Sequence, residues 1–490
     1  MRKILLGTTA VVAAGMLSAV ATPAVAQTAP TVRIGGSMAA YWGYTLQTGR
    51  NISVVPTSTT GLPTNAIGQA TNLERSTAAF GAAPNNTTAQ GSSAAFMGTT
   101  DFVVLPAINF LVDAKLANGL AYGAAIQLNM NSMEGRNIAQ RRASLPRSTV
   151  SIDEAWIYLR HPTFGEIRFG DEDGAIGLMN SGWITGFGTG GVFGAWEQFA
   201  TRAAQNRTMT TPAGIGDNSK IVYLSPQYFG FDFGASFSPN LGEGGSSGCP
   251  NDVASGYCDR STAFRGASGA GITGAGGFIG ARRNEFQLTA RYRGNFAGVG
   301  VQATVGYLGS GAARDILNSG ATIATMRGLD AWMFGAQASY MGVTVGAAYT
   351  TGAFNWFWGN LRRGDRNAQQ ITAGITYTMG PLTVGGNIVT GLFEGASRMG
   401  GVDGATGVTA PVAAGTSGAA MQRRWGWGVG MNYTLAPGLD LIAEYAYHSI
   451  REPFVQQAAG SSISATGAAQ SVVGGRNQSQ VLLVGTRLAF

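Results

Sequence analysis

The chain has 490 residues, 75 of them glycine, with only 12% Asp, Glu, Lys and Arg and a formal net charge of +7. So low a share of charge, about half that of an ordinary soluble domain, argues against a water-exposed surface over most of the chain. The basic residues are nearly all arginines scattered along the sequence, which excludes a nucleic-acid-binding patch.

In chain order, Arg2 and Lys3 precede an apolar stretch from Ile4 to Val20, and Ala24 and Ala26 frame an Ala-x-Ala cleavage site. This pattern predicts a secretory leader over residues 1–26, removed after Ala26. No linker, charge run or shift in composition divides residues 27–490, so a single domain is expected there. No later stretch approaches the ~18 apolar residues of a membrane-crossing helix. Cys249 and Cys258 lie close together in an exported chain and predict one disulfide across a loop. A zinc site would need two further ligands nearby, and none is visible.

The dominant pattern has period two. In "NEFQLTARYR", Phe286, Leu288, Ala290 and Tyr292 share one face, while Glu285, Gln287, Thr289, Arg291 and Arg293 share the other. Such segments begin near Val32, Phe102, Leu120, Ile152, Glu166, Lys220, Phe231, Asn284, Val299, Asp330, Val343, Gln370, Leu382, Trp425, Leu439 and Gln480. Their connections alternate between tight turns ("LANG", "HPTFG", "QYFG", "GNFAG", "MG", "MGP", "APG") and long Gly/Ser/Thr/Ala-rich loops such as 47–98, 174–218, 239–283 and 390–422. The expected fold class is all-β: a 16-stranded antiparallel transmembrane β-barrel with short turns at the periplasmic end and long loops outside. A β-sandwich would also alternate, but its solvent face would carry more charge and its connections would not sort by length. Aromatic residues near strand ends, among them Trp42, Tyr44, Tyr158, Tyr223, Tyr292, Tyr307, Trp332, Tyr340, Tyr349, Tyr377 and Tyr433, predict interfacial girdles.

Three stretches carry a family resemblance: "GEIRFGDEDG", "NSKIVYLSPQYFGFDFGASF", and the final Thr486, Leu488 and Phe490. Over nearly the whole mature length the chain resembles the sixteen-stranded general porins of Gram-negative outer membranes. That resemblance implies a homotrimer in outer-membrane lipid and lipopolysaccharide that passes small hydrophilic solutes and ions. It also implies that Phe490 and Leu488 form the signal read by the barrel assembly machinery. The third long loop, 174–218, is expected to fold inward and narrow the channel, with acids Asp171, Glu172, Asp173 and Glu197. The Pro-Glu-Phe-Gly-Gly-Asp tip of the enteric porins is missing and "GWITGFGTGGVFGAWEQ" stands in its place.

Parity puts Arg33, Arg168, Arg291, Arg293, Arg424 and Arg487 on the polar side of their strands. An arginine facing lipid at mid-depth would cost roughly 2–4 kcal/mol, so energy and parity agree on a lumen position. Wall arginines opposite loop acids would set a transverse field, and a mild anion preference is expected. The alternative is that these arginines pair with lumen acids such as Glu166, Glu285 and Glu444 and brace the wall.

No cofactor or resident metal is expected. "GFGTGG" spells part of a dinucleotide fingerprint but follows no βαβ pattern, and "DEDG" lacks the further oxygens of a calcium loop. A substrate-selective channel, for sugars for example, would use the loop aromatics Trp183, Phe187, Phe193 and Trp196. An outer-membrane hydrolase would use Glu444 and His448, which share a face; the other histidine, His161, falls in a short turn.

Overall fold

Period-two segments must present one face to each side of a sheet, and here the apolar face is the exposed one. In the strand containing them, Phe286 and Leu288 are 39% and 53% exposed, while Glu285 and Gln287 are 2% and 1% exposed. Phe231, Phe233 and Phe237 likewise point outward, and Asp232 and Ser236 inward. This is the inverse of a soluble sandwich and fits a sheet with lipid outside and polar contents.

The computed structural model describes residues 30–47, 51–53, 94–96, 99–129, 151–200, 218–240, 283–311, 314–316, 322–325, 327–354, 358, 361, 366–393, 422–451, 455–456, 471–472 and 476–490. Within them the barrel strands of the first half are β1 (Thr31–Gln47), β2 (Thr100–Lys115), β3 (Ala121–Asn129), β4 (Ser151–His161), β5 (Gly165–Glu172), β6 (Asn218–Leu224), β7 (Phe231–Asn240) and β8 (Arg283–Phe296). Those of the second half are β9 (Val299–Gly309), β10 (Asp330–Tyr340), β11 (Val343–Ala353), β12 (Ala368–Met379), β13 (Leu382–Phe393), β14 (Gln422–Ala436), β15 (Leu439–Arg451) and β16 (Arg476–Ala489). Each pairs antiparallel with its chain neighbours, and β1 pairs with β16 to close the barrel.

The sixteen segments read from the sequence are these strands. Six start at the expected residue, and the others are displaced by one to four positions. The largest displacements, at β14 and β16, fall where polar runs ("QRR", "RNQS") hide the alternation. Closure runs from Ser37↔Ala489 to Gln47↔Ser479, and Gly36 and Phe490 exchange both backbone hydrogen bonds, at 2.9 and 3.0 Å. Among the described residues no helix is long and apolar enough to cross a membrane, which has no bearing on crossing by strands.

Two local features depart from simple alternation. β4 carries a bulge opposite Gln127 and Leu128, with Asp153 as the extra residue. The bulge keeps Ile152 outward and lets Asp153 accept from Gln127 Nε2 at 2.7 Å. Tyr158, expected in an interfacial girdle, is instead 5% exposed on the inner wall, where its hydroxyl donates to Asp113. The parity of β4 dictates this, because Ile157 and Leu159 on either side face outward. Trp42, Tyr44, Trp332, Tyr340, Tyr377 and Tyr433 are exposed, as a girdle requires.

Candidate functional site

β5 ends at Glu172, and the chain then turns into the barrel interior. Residues 175–200 contain one short helix, α1 (Ala175–Met179), and two 3-10 turns, Gly191–Phe193 and Ala195–Gln198. Their polar groups bond to one inner-wall strand after another. Ala175 N–H donates to Ser236 of β7 (3.2 Å) and Ile176 N–H to Gln287 of β8 (3.0 Å). Ser181 bonds Thr304 of β9 (2.8 Å), and Gly182 N–H donates to Gln337 of β10 (3.1 Å). Asn387 of β13 donates to the carbonyls of Ile184 (2.8 Å) and Gly190 (3.0 Å) and accepts from Val192 N–H (3.0 Å). Asn432 of β14 donates to Gly188 O at 3.2 Å.

The tip is held by Glu444 of β15. Its Oε2 accepts the successive backbone N–H groups of Thr189 (2.6 Å), Gly190 (3.1 Å) and Gly191 (2.9 Å), and its Oε1 the Thr189 hydroxyl (2.7 Å). A carboxylate taking several donors forms strong, charge-assisted bonds. Beyond the tip, Trp196 stacks on His448 with centroids 3.5 Å apart. Phe199 and Ala200 complete an apolar cluster with Tyr41, Val103, Ile442, Val481 and Leu483 of the wall.

The glycines of the inner face explain how a backbone can lie so close to a sheet. A Cβ on Gly335 would strike the carbonyl of Ser181, and one on Gly428 would come within 2.7 Å of Gly191 Cα. Those wall positions need the missing side chain because another backbone occupies its place. The same glycines were legible in the sequence only as the small members of a polar face.

The inner wall carries ion pairs between strands. Arg33 of β1 binds Asp113 of β2, and Asp113 also accepts the Tyr158 hydroxyl. Arg160 donates to Glu166 at 2.9 Å, Glu166 also takes Arg168, and Arg168 reaches Glu172 at 2.6 Å. The Arg168 guanidinium lies 4.3 Å from the Trp156 ring centroid, and that of Arg160 4.8 Å from Tyr158. Asp232 of β7 holds both Arg291 (2.6 Å) and Arg293 (2.7 Å) of β8, and Asp440 of β15 holds Arg487 of β16 (2.6 Å). Arg424 is 3% exposed on the inner wall of β14.

Of the acids expected at the constriction, Asp171 and Glu172 stand on β5 itself and Asp173 just beyond it, while Glu197 sits half-buried in the second 3-10 turn. Arg168 and Glu172 share one strand, so this pair does not face across the lumen. Residues 201–217 of the loop and the Cys249–Cys258 pair lie outside the described residues. Among the described residues no three His, Cys, Asp or Glu side chains converge as metal ligands would.

Sequence reasoning missed the roles of Asp113, Tyr158, Arg160, Asp232, Asp440, Asn387 and Asn432. Asp232, Asp440 and Asn432 lie on the polar faces of alternating segments; what the sequence lacks is the cross-strand register that matches Asp232 to Arg291 and Asp440 to Arg487.

The chain matches the model of a Gram-negative porin family over residues 8–452. No curated protein matches it. Among solved structures it is similar to OmpT, an outer membrane protein of Vibrio cholerae, at 10% identity over 96% of this chain and 100% of that one, with a TM-score of 0.47. A mutant of the Rh. blastica porin matches at 11% identity over 94% of this chain and 100% of that one, with a TM-score of 0.44. With a closed sixteen-stranded barrel and a match spanning most of its length, the chain belongs to the Gram-negative porin family, outer-membrane channels for passive diffusion.

Proposed function

We propose that this porin is a general, non-enzymatic diffusion channel whose passage is narrowed by residues 174–218, acting as a homotrimer after removal of a leader over residues 1–26. One observation carries the reading: residues 175–200 are bonded to seven strands around the interior, from Ser236 on β7 to Glu444 on β15. A sixteen-stranded barrel is wide enough for an aqueous lumen, and a segment fixed within it takes up part of that cross-section.

Two of the four loop aromatics favour a general pore over an aromatic slide for sugars. Phe187 and Trp196 are 0% and 2% exposed and face the wall, not the passage. The pair that a hydrolase would need is engaged in holding the loop: Glu444 accepts its backbone N–H groups, and His448 lies under Trp196. The wall arginines paired with Asp113, Glu166, Glu172, Asp232 and Asp440 are compensated locally. The anion preference of the open channel is accordingly small. Asp171, Glu172, Asp173 and Glu197 lie at the two ends of the described part of the loop, and Phe490 and Leu488 remain the proposed assembly signal.

The reading is tested in planar bilayers. Conductance steps arriving in threes, with a reversal potential near zero in a KCl gradient, support it. A saturable current blocked by one sugar would favour the selective channel, and a hydrolytic activity lost in His448→Ala would favour the enzyme.

A further inference from the structure

At the outer ends of β9–β13 the inner wall changes character. Lower down it is glycine and polar, as Thr304, Gly335, Gly374 and Asn387 illustrate. At the outer rim it becomes apolar: Leu308, Ala331, Met333 and Phe393 all face inward and are buried. Apolar side chains aimed into a wet lumen are unfavourable unless something covers them. The cover is supplied by the β11–β12 connection. Phe354 and Trp358 are 0% and 1% exposed and belong to the same cluster, and Leu361 of the same connection is 1% exposed. The Phe354 ring centroid lies 5.1 Å from that of Trp358 and 6.1 Å from that of Phe393. Leu361 is anchored through its carbonyl, which accepts Arg327 N–H at 2.6 Å.

The cluster extends to the other inward segment. Ile176 of α1 is 1% exposed within it, and Trp183 packs against it. Trp183 in turn meets Phe193 at 4.9 Å. The side chains from the β11–β12 connection therefore sit inside the outer mouth and bear on the start of the loop below.

We propose that Phe354 and Trp358 of the β11–β12 connection form a second constricting element in the outer vestibule, with Trp358 as the positioning residue that seats it on the apolar rim and braces Ile176 and Trp183 beneath it. The proposal concerns a different connection from residues 174–218, at the outer ends of the strands β9, β10 and β13 that hold that loop lower down. In sequence the stretch "FNWFWGNL" looks like any aromatic-bearing outer loop; only the inward apolar rim of β9, β10 and β13 reveals where Phe354 and Trp358 go.

The test uses the full-length wild-type protein and Trp358→Ala, each reconstituted into planar bilayers and into liposomes for swelling with uncharged sugars. Channel selectivity by size follows pore diameter, so Trp358→Ala is expected to raise single-channel conductance and to speed trisaccharide uptake about twofold, with monosaccharide uptake little changed. Trp358→Phe, which keeps an apolar ring in place, is expected to restore most of the size limit. A Trp358→Ala barrel that is as heat-resistant as wild type, with unchanged conductance and unchanged sugar rates, overturns the proposal. Should Trp358→Ala fail to assemble, Phe354→Ala is measured by the same two assays. An increase there supports the proposal, and unchanged values overturn it.

Discussion

Glu444 of β15 grips Thr189 at two points, taking its backbone N–H at 2.6 Å on one carboxylate oxygen and its hydroxyl at 2.7 Å on the other. The residues are far apart in sequence, yet this contact fixes the tip of the inner loop to the wall. Among the described residues no arginine or lysine forms an ion pair with Glu444, and its bonds go instead to the loop.

Glu444→Ala orphans three backbone N–H groups, at a cost of roughly 1–3 kcal/mol for each that stays buried without a partner. The loop tip is expected to leave the wall, giving noisier single-channel currents while the barrel itself stays folded. Glu444→Gln retains an acceptor oxygen and should fall between alanine and wild type. Bilayer recordings with a heat-modifiability gel as the folding control check both variants.

Gly428 tests the opposite direction. A Cβ there would stand 2.7 Å from Gly191 Cα, so Gly428→Val should push the tip into the lumen. Lower conductance without loss of assembly is the expected outcome.

Asp232 compensates two guanidinium groups at once, those of Arg291 and Arg293. Asp232→Asn removes the negative charge and leaves both cations on the inner wall. The reversal potential in a KCl gradient should shift towards the chloride potential, and stability should fall by at most about 3–5 kcal/mol. Converting Arg291 to Gln in the same background should reverse part of the shift.

Leu288 and Thr289 separate the two faces of β8. Leu288 is 53% exposed on the lipid side, and Thr289 is 5% exposed on the inner side. Leu288→Arg should destabilise the barrel in lipid vesicles by roughly 2–4 kcal/mol if it sits near mid-depth. Leu288→Val should cost little. Urea midpoints in vesicles measure both.

How much of this could be read in advance follows from the range of each interaction. β8 and β15 were legible because alternation is a local property: Leu288 beside Thr289, and Tyr445 beside Glu444, show it within a few residues. The path of the inner loop was not legible, because Gly335 and Gly428 are small for the sake of Ser181 and Gly191, partners far away in sequence. Tyr158 misled because an aromatic near a strand end suits an interface equally well; only parity with Ile157 and Leu159 turns it inward. Alternation puts the arginines on the polar faces of their strands, but their partners depend on register, as with Asp113 for Arg33 and Asp232 for Arg293. Phe354 and Trp358 gave no signal at all, since nothing local distinguishes an aromatic that covers an apolar rim from one on an exposed loop.

The central claim is a closed cylinder of strands with a water-filled passage narrowed from within. Single-channel recording of the purified wild-type protein in planar bilayers, repeated across a range of KCl concentrations, tests it most directly. Discrete, long-lived steps whose size grows in proportion to bulk conductivity are the predicted result. Insertion of correctly folded, heat-modifiable protein that leaves the bilayer electrically silent would contradict it.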